Sequence, residues 1–191
     1  MQTTDSIQLK TPVTVLVSAI LVVVSLLFIF RQWVSLPCGL DILSAFSRNF
    51  IHVDPLHLMI NLYGFYRLAD LEFSVGSIRY LALILLLTFF QSVLEWLYLT
   101  IRPIGGSCSI GFSGILFGIL TFMFFFDRGI DLTLLLALFV SILSSSATSE
   151  RISFTGHLFG VISGLLTVGL SRIVTGAYIF AEPPFDSMSK P

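Results

Sequence analysis

The chain has 191 residues, of which 55% are hydrophobic and only 11% are charged, against roughly 25% charged in an ordinary soluble domain. Its mean hydropathy is +0.97, and 10 Lys and Arg balance 11 Asp and Glu to a net charge of -1. This composition excludes a soluble globular protein, a disordered chain and a nucleic-acid-binding protein, since no basic surface is available to attract phosphates. We expect a single domain that lies in a lipid bilayer.

Six membrane spans are predicted in chain order, which makes the fold class an all-α membrane protein. The first covers residues 13–30, which carry no charge and are long enough to cross a bilayer. The second begins at Asp54-Pro55, an N-cap followed by a proline at the first helical position, and runs to about residue 71. The remaining spans cover residues 80–101, 113–126, 132–146 and 152–171.

The topology predicts two short cytoplasmic tails, residues 1–12 and 172–191, around a six-helix membrane domain at residues 13–171. With the N-terminus in the cytoplasm, six of the 10 Lys and Arg face inward, which favours that orientation. The sequence fits a bacterial inner membrane and a eukaryotic secretory membrane equally well, and it carries no indication of an oligomeric state.

The fourth predicted span is short for a membrane helix. Residues 113–126 form about 21 Å of helix, against a hydrocarbon core of about 30 Å. Residues 105–111 would then enter the membrane as a loop, which is tolerated only within protein or beside a water-filled cavity. The sequence therefore predicts a recessed fourth helix, with Ser113 at the floor of a wet pocket that opens on the outer side.

Polar residues gather at the outer ends of spans two, four and six. Such groups are costly inside a membrane and need a reason to be there. The set comprises His52, His57, Asn61, Ser113 and His157. Because these three spans all begin on the outer side, we expect the five side chains at one depth in the membrane.

Ser113 and His157 are the candidate nucleophile and base. Ser113 lies between Gly111 and Gly114, which allow a sharp turn and close neighbours, and its backbone N–H has no partner within the helix that it begins. His157 shares a helix face with Gly160, and small residues favour close packing of spans four and six. His157 would then activate the Ser113 hydroxyl. Taken singly, Ser113 is better explained as a helix-capping serine beside packing glycines, and His157 is equally well explained as a structural histidine hydrogen-bonded across helices.

His57 and Asn61 are four residues apart and face the same way on a helix. Both can donate hydrogen bonds to the oxyanion of a tetrahedral intermediate. His52, just before this helix, is expected to stabilise the loop or to contact the same pocket.

No metal site is predicted, although three histidines raise the possibility of zinc. The HExxH pattern is absent, and no carboxylate stands at ligand spacing with a second histidine. The two cysteines, Cys38 and Cys108, fall on the same predicted side of the membrane, where a disulfide is chemically possible. Two separate thiols are the preferred interpretation.

Taken together, these residues resemble the rhomboid family of intramembrane serine proteases, over residues 13–171. The motifs that carry the resemblance are HVDPLHLMIN at residues 52–61, EFSVGSIRY at 72–80, GFSG at 111–114 and GHLFG at 156–160. Each motif is weak alone, but four of them in the right order at the right span ends are specific. The resemblance implies a six-transmembrane-helix rhomboid-like bundle.

The resemblance also implies a role for each candidate residue. Ser113 would be the nucleophile, and His157 the general base and then the general acid. The Ser113 N–H and the side chains of His57 and Asn61 would form the oxyanion hole. Supporting residues would be His52, Gly111, Gly114 and Gly160. Glu72 would be structural, near the cytoplasmic end of span two.

The activity implied is cleavage of single-span membrane proteins in or near their transmembrane segments, on the outer or lumenal side of the bilayer and without a cofactor. One alternative is a catalytically inactive rhomboid-like protein that binds membrane clients, although such proteins usually lack the serine or the histidine. A small transporter or channel is another, but it would be expected to show internal repeats, which are not evident.

The first outer loop departs from the family pattern. Residues 31–53 form a short loop, and Trp33 is followed by Val34 instead of the arginine of the Trp-Arg pair found in many relatives. The shape of this loop is therefore not implied by the resemblance. Glu95, near the outer end of span three, has no family role and is expected to pair with Arg102.

Overall fold

The computed structural model describes residues 11–30, 39–101, 108–125 and 154–175, and all the regular secondary structure in these ranges is helical. The helices are α1 (Pro12–Ile29), α2 (Ile42–Arg48), α3 (Pro55–Arg67), α4 (Ala69–Val75), α5 (Ser77–Ile101), α6 (Ser113–Phe125) and α7 (Phe154–Thr175). The chain is thus an all-α protein throughout its described part.

Three of these helices are long and apolar enough to cross a membrane: Pro12–Ile29, Ser77–Ile101 and, within α7, Phe154–Ile173. The predicted start of the fourth span at Ser113 is confirmed by α6, whose 13 described residues span about 20 Å. The fifth predicted span, residues 132–146, lies outside the described residues. The count of six spans therefore stays a prediction.

The second predicted span is wrong in its extent. The helix does not continue to residue 71 but breaks at Leu68, whose N–H is directed at the carbonyls of Phe65, at 3.1 Å, and of Tyr66. α4 then begins at Ala69 and ends at Val75, and it is followed by Gly76, whose φ is +86°. The third and sixth spans also shift, because α5 begins at Ser77 and α7 continues to Thr175.

Aspartate caps begin two of the helices. α3 begins where the sequence predicts, and the Asp54 carboxylate accepts the N–H groups of Leu56 and His57 at 2.9 and 3.0 Å. α2, in the segment between α1 and α3, is not predicted from the sequence. Asp41 caps it by accepting the N–H of Ser44 at 2.8 Å and its hydroxyl at 2.6 Å, and these bonds lower the pKa of the exposed Asp41 carboxyl.

Glu72 joins α4 to the beginning of α1. Its carboxylate accepts the backbone N–H groups of Val13 and Thr14, each at 2.8 Å, and the Thr14 hydroxyl at 2.8 Å. These N–H groups lie in the first turn of α1 and have no partner within that helix, and the helix dipole also favours a carboxylate there. The structural role implied for Glu72 by the family resemblance thus has a defined partner.

Glycines let α6 and α7 pack backbone to backbone. A methyl group on Gly160 would overlap the backbone of Gly114. One on Gly164 would lie 2.7 Å from the carbonyl oxygen of Gly118 and 2.6 Å from Cβ of Thr121. Contacts this close require the absence of side chains on both helices, so the predicted close packing of spans four and six is confirmed.

The apolar core surrounds the beginning of α6. Fully buried core residues include Leu21, Phe65, Leu83, Leu87, Phe112 and Ile115. The ring of Phe112 meets that of Phe65 edge to face at 5.1 Å and that of Phe50 at 6.1 Å. Side chains from several helices therefore hold the residue immediately before Ser113.

Candidate active site

The backbone leading to Ser113 turns at a glycine beside a histidine. Gly111 has φ +115°, a conformation that other residues rarely adopt. A methyl group there would lie 2.7 Å from Cε1 of His57. Glycine is therefore required at position 111 both by the turn and by the approach of the imidazole ring.

The Ser113 hydroxyl and the His157 imidazole are hydrogen-bonded. Oγ of Ser113 lies 2.9 Å from Nε2 of His157, and the two residues are only 8% and 7% exposed. The ring of Phe117, one turn further along α6, lies 4.8 Å from the imidazole centroid and restricts its rotation. A neutral imidazole can accept the hydroxyl proton at Nε2, and this transfer makes a serine oxygen nucleophilic.

His57 and Asn61 are buried on one face of α3, as their spacing predicts. The Asn61 side-chain amide donates to the His57 carbonyl at 2.8 Å, and it carries a second hydrogen. Within the described part of the chain, Nε2 of His57 and Oδ1 of Asn61 have no hydrogen-bond partner. His57 also interacts electrostatically with His157, so α3 and α7 both contribute to the site.

His52 is fully buried just before α3 and contacts the segment before Ser113. Its Nε2 accepts the backbone N–H of Phe112 at 3.3 Å, and its ring meets that of His57 edge to face at 5.0 Å. Burial, with a smaller contribution from His57, lowers the pKa of His52. His52 is therefore a neutral hydrogen-bond acceptor that holds the polypeptide leading to Ser113.

The backbone N–H groups of residues 111 to 113 differ in their hydrogen bonding. The N–H of Gly111 donates to the carbonyl of Arg48 at 3.0 Å, and that of Phe112 donates to His52. The third belongs to Ser113, the first residue of α6, so the helix leaves it without a partner. Two N–H groups thus anchor the segment, and the third is available at the helix N-terminus beside the hydroxyl.

Gln91 on α5 belongs to the site but was not identified from the sequence. Its carboxamide lies against Gly114, where a methyl group would overlap it. Buried polar atoms without a partner in the described residues include Oε1 of Gln91, Nε2 of His57, Oδ1 of Asn61 and Nδ1 of His157. Such atoms are nearly always bonded to protein or to water. A polar amide within an apolar span is the sequence feature that indicates Gln91.

Glu95 pairs with Arg48, which is not a predicted partner. Oε2 of Glu95 lies 3.6 Å from Nη2 of Arg48, and both side chains are buried. The expected partner, Arg102, lies outside the described residues. Arg48 ends α2, so the pair joins the segment between α1 and α3 to α5.

Cys108 is disulfide-bonded, contrary to the expectation of a separate thiol. It is buried five residues before Ser113. The other cysteine of the chain, Cys38, lies outside the described residues. The segment before Ser113 therefore has a covalent anchor as well as hydrogen bonds.

Two of the three histidines, His52 and His157, form hydrogen bonds through their rings within the described residues. Across residues 11–30, 39–101, 108–125 and 154–175, no group of three or more His, Cys, Asp or Glu side chains is arranged to hold a metal ion. A ring nitrogen of His52 bonds to the N–H of Phe112, and a ring nitrogen of His157 bonds to the hydroxyl of Ser113.

Comparison with known proteins gives one family. Residues 40–172 match the family model described as Rhomboid domain, which covers the chain from just before α2 to α7. The chain is also 30% identical over 137 residues to a protein of Acanthamoeba polyphaga mimivirus that is named as a rhomboid protein. That match covers 72% of this chain and 80% of the viral protein. No solved structure matches the chain.

Proposed function

The chain belongs to the rhomboid family of membrane proteins, and we propose that it is an intramembrane serine endopeptidase that cleaves transmembrane segments of membrane-protein substrates. The observation that carries the proposal is the 2.9 Å hydrogen bond between Ser113 Oγ and His157 Nε2. Ser113 is the nucleophile, and His157 is the general base and then the general acid.

Acylation uses the Ser113 and His157 side chains in turn. Oγ attacks the carbonyl carbon of the scissile peptide while its proton passes to Nε2 of His157, and the carbonyl electrons move onto the oxygen. The tetrahedral intermediate collapses when the imidazolium returns that proton to the leaving nitrogen and the C–N bond breaks. Within the described residues Nδ1 of His157 has no partner, which fits a dyad that has no orienting carboxylate.

The negative oxygen of the intermediate is stabilised by three donors. The Ser113 N–H lies at the N-terminus of α6, where the helix dipole favours negative charge. The His57 ring lies against Gly111, two residues before the nucleophile. Asn61, one turn along α3 from His57, has a second amide hydrogen besides the one bonded within its helix. The donors thus come from two different helices.

Deacylation requires water, which attacks the acyl carbon while His157 removes its proton; the bond between that carbon and Ser113 Oγ then breaks as the imidazolium returns the proton to Oγ. Buried polar atoms of Gln91, His57, Asn61 and His157 have no partner among the residues that the structure describes, and this supports a hydrated pocket around Ser113. The recessed position proposed for α6 would let water enter from the outer or lumenal side. No cofactor is required for this chemistry.

Single-span membrane proteins are the proposed substrates. A peptide carbonyl in an intact transmembrane helix is hydrogen-bonded within that helix, so the substrate must unwind locally before its backbone reaches Ser113. Segments with small, helix-breaking residues are therefore favoured. The topology proposed for this activity is a six-span membrane domain at residues 13–171 with the N-terminus in the cytoplasm.

An inactive rhomboid-like protein that binds membrane clients is the alternative. The presence of a complete hydrogen-bonded pair, together with His57 and Asn61 on the neighbouring helix, supports the enzyme. A protein that only binds clients has no need for a base bonded to a buried serine.

The test is covalent labelling of Ser113 in the purified full-length protein by a fluorophosphonate probe, together with cleavage of a model transmembrane substrate. We expect Ser113→Ala to abolish both, and His157→Ala to slow both by at least about 100-fold because the general base is lost. Both variants should retain the wild-type melting temperature to within a few degrees.

Ser163→Ala is the matched control, because this buried serine on α7 donates to the Phe159 carbonyl at 2.7 Å and lies outside the proposed dyad. It should be labelled and active like the wild type. Cleavage by Ser113→Ala, or labelling at another serine, would refute the mechanism. A folded wild-type protein that neither reacts nor cleaves would favour the alternative.

A further inference from the structure

The ion pair between Arg48 and Glu95 is buried almost completely, with the residues 1% and 3% exposed. Removing two charges from water is costly, and replacing such a pair by apolar residues of similar volume is often neutral or stabilising. Stability alone is therefore a weak explanation for these charges in an apolar protein.

Both members of the pair contact the segment before Ser113. The backbone carbonyl of Arg48 accepts the N–H of Gly111 at 3.0 Å. The carboxylate of Glu95 interacts with the side chain of Ser109. The pair therefore holds this segment at two points, one on each side of residue 110.

The docking of α2 does not depend on the ion pair alone. Asn49, the next residue after Arg48, donates from its side chain to the Ser92 hydroxyl at 3.1 Å. Ser92 lies on α5, about one turn from Glu95. The bond between Asn49 and Ser92 thus still connects this loop to α5 when the charges are removed. The effect of the charges on the docking of α2 can therefore be separated from their effect on the segment before Ser113.

We propose that Arg48 and Glu95 are positioning residues for the hydrolysis, and this inference rests on the proposed function. The pair fixes the backbone of residues 109–111, so that the Ser113 N–H points at the oxyanion when the hydroxyl attacks. A displacement of about 1 Å at such a position can cost about 100-fold in rate. The charges therefore act on the rate of the chemical step more than on substrate binding.

The test is the double variant Arg48→Met/Glu95→Leu in the full-length protein, assayed in liposomes with a transmembrane substrate. The fold should survive, since no charge is left unpaired. We expect KM to change by less than about twofold and kcat to fall at least about tenfold, as for the loss of part of an oxyanion site. Ser92→Ala, which removes the bond to Asn49 and the bond from the Ser92 hydroxyl to the Thr88 carbonyl but leaves the ion pair in place, is the matched control and should keep its kcat.

A double variant with wild-type kcat would overturn the inference, as would a kcat that is unchanged per folded molecule despite a lower melting temperature. If the double variant does not fold, Glu95→Gln and Glu95→Asp replace it. The neutral Gln should lower kcat more than the charged Asp, and equal rates would overturn the inference. A wild-type protein that is folded but inactive would contradict the proposed function instead, so the two failures are distinguishable.

Discussion

His52 accepts the backbone N–H of Phe112 through Nε2 at 3.3 Å, and this bond defines the tautomer of the ring. A neutral imidazole that accepts at Nε2 carries its hydrogen on Nδ1, and Nδ1 lies 3.0 Å from the Ser25 hydroxyl of α1. The same hydroxyl accepts the backbone N–H of His52 at 3.1 Å. Through Ser25, α1 therefore holds His52 in place. His52 in turn holds the N–H of Phe112, the residue before Ser113.

Replacing His52 should impair both stability and reactivity. His52→Leu leaves the buried N–H of Phe112 without an acceptor, which should lower the free energy of unfolding by about 1–3 kcal/mol. His52→Gln keeps an acceptor oxygen and should lose less. The fluorophosphonate labelling rate of Ser113 should follow the order wild type, Gln, Leu. Labelling of the Leu variant at the wild-type rate would show that the Phe112 bond does not position the nucleophile.

Acidification should destabilise the protein in part through His52. Burial holds the pKa of His52 below its ordinary value of 6.5, so below that pH the unfolded chain binds a proton that the native ring does not. Stability should therefore be constant above about pH 6.5 and fall below it, by up to about 1.4 kcal/mol per pH unit for this group. Melting temperatures measured at about pH 7.5 and 5.5 should fall less in His52→Gln than in wild type. If the melting temperatures of the two proteins fall by the same amount, the pH effect belongs to groups other than His52.

Features of the fold that depend on local sequence patterns could be predicted from the sequence. Features that depend on long-range contacts could not. The N-cap residue Asp54 indicates the start of α3, and a 13-residue apolar helix begins at Ser113, as expected. The break at Leu68 cannot be predicted from the sequence, because apolar residues continue through it. Only the packing of α4 with α1 through Glu72 requires the turn. α2 was missed since its short segment has no marked periodicity.

The same distinction applies to the site. Ser113 and His157 could be brought together from the sequence because the glycines on both helices indicate close packing. Arg48 and Glu95 lie 47 positions apart, on a loop helix and a membrane helix. No local pattern relates them, and the nearer Arg102 was the natural candidate. Gln91 stands out in the sequence as a polar amide within an apolar span, but only the structure places it against Gly114.

Glu72 should matter for stability and not for the rate of hydrolysis. Glu72→Gln retains one acceptor oxygen but places an amide near the N–H groups of Val13 and Thr14, so we expect a loss of about 1.5–3 kcal/mol in unfolding free energy. Asp70→Asn, on the exposed side of the same helix, should stay within about 0.5 kcal/mol of wild type. Thermal unfolding measures both. A lower kcat per folded molecule in Glu72→Gln would contradict a purely structural role.

The backbone contact between α6 and α7 gives the sharpest test of how the two catalytic candidates are brought together. In Gly160→Ala the new methyl group would overlap the Gly114 backbone, so the helices must separate and the bond between Ser113 and His157 must lengthen. We expect a loss of about 1–3 kcal/mol in stability and a labelling rate at least about tenfold lower. Gly169→Ala is the control on the same helix, because a methyl group there meets nothing within 4 Å. It should keep full labelling and equal or slightly higher stability. Equal behaviour of the two variants would mean that the glycine contact does not set the distance between the serine and the histidine.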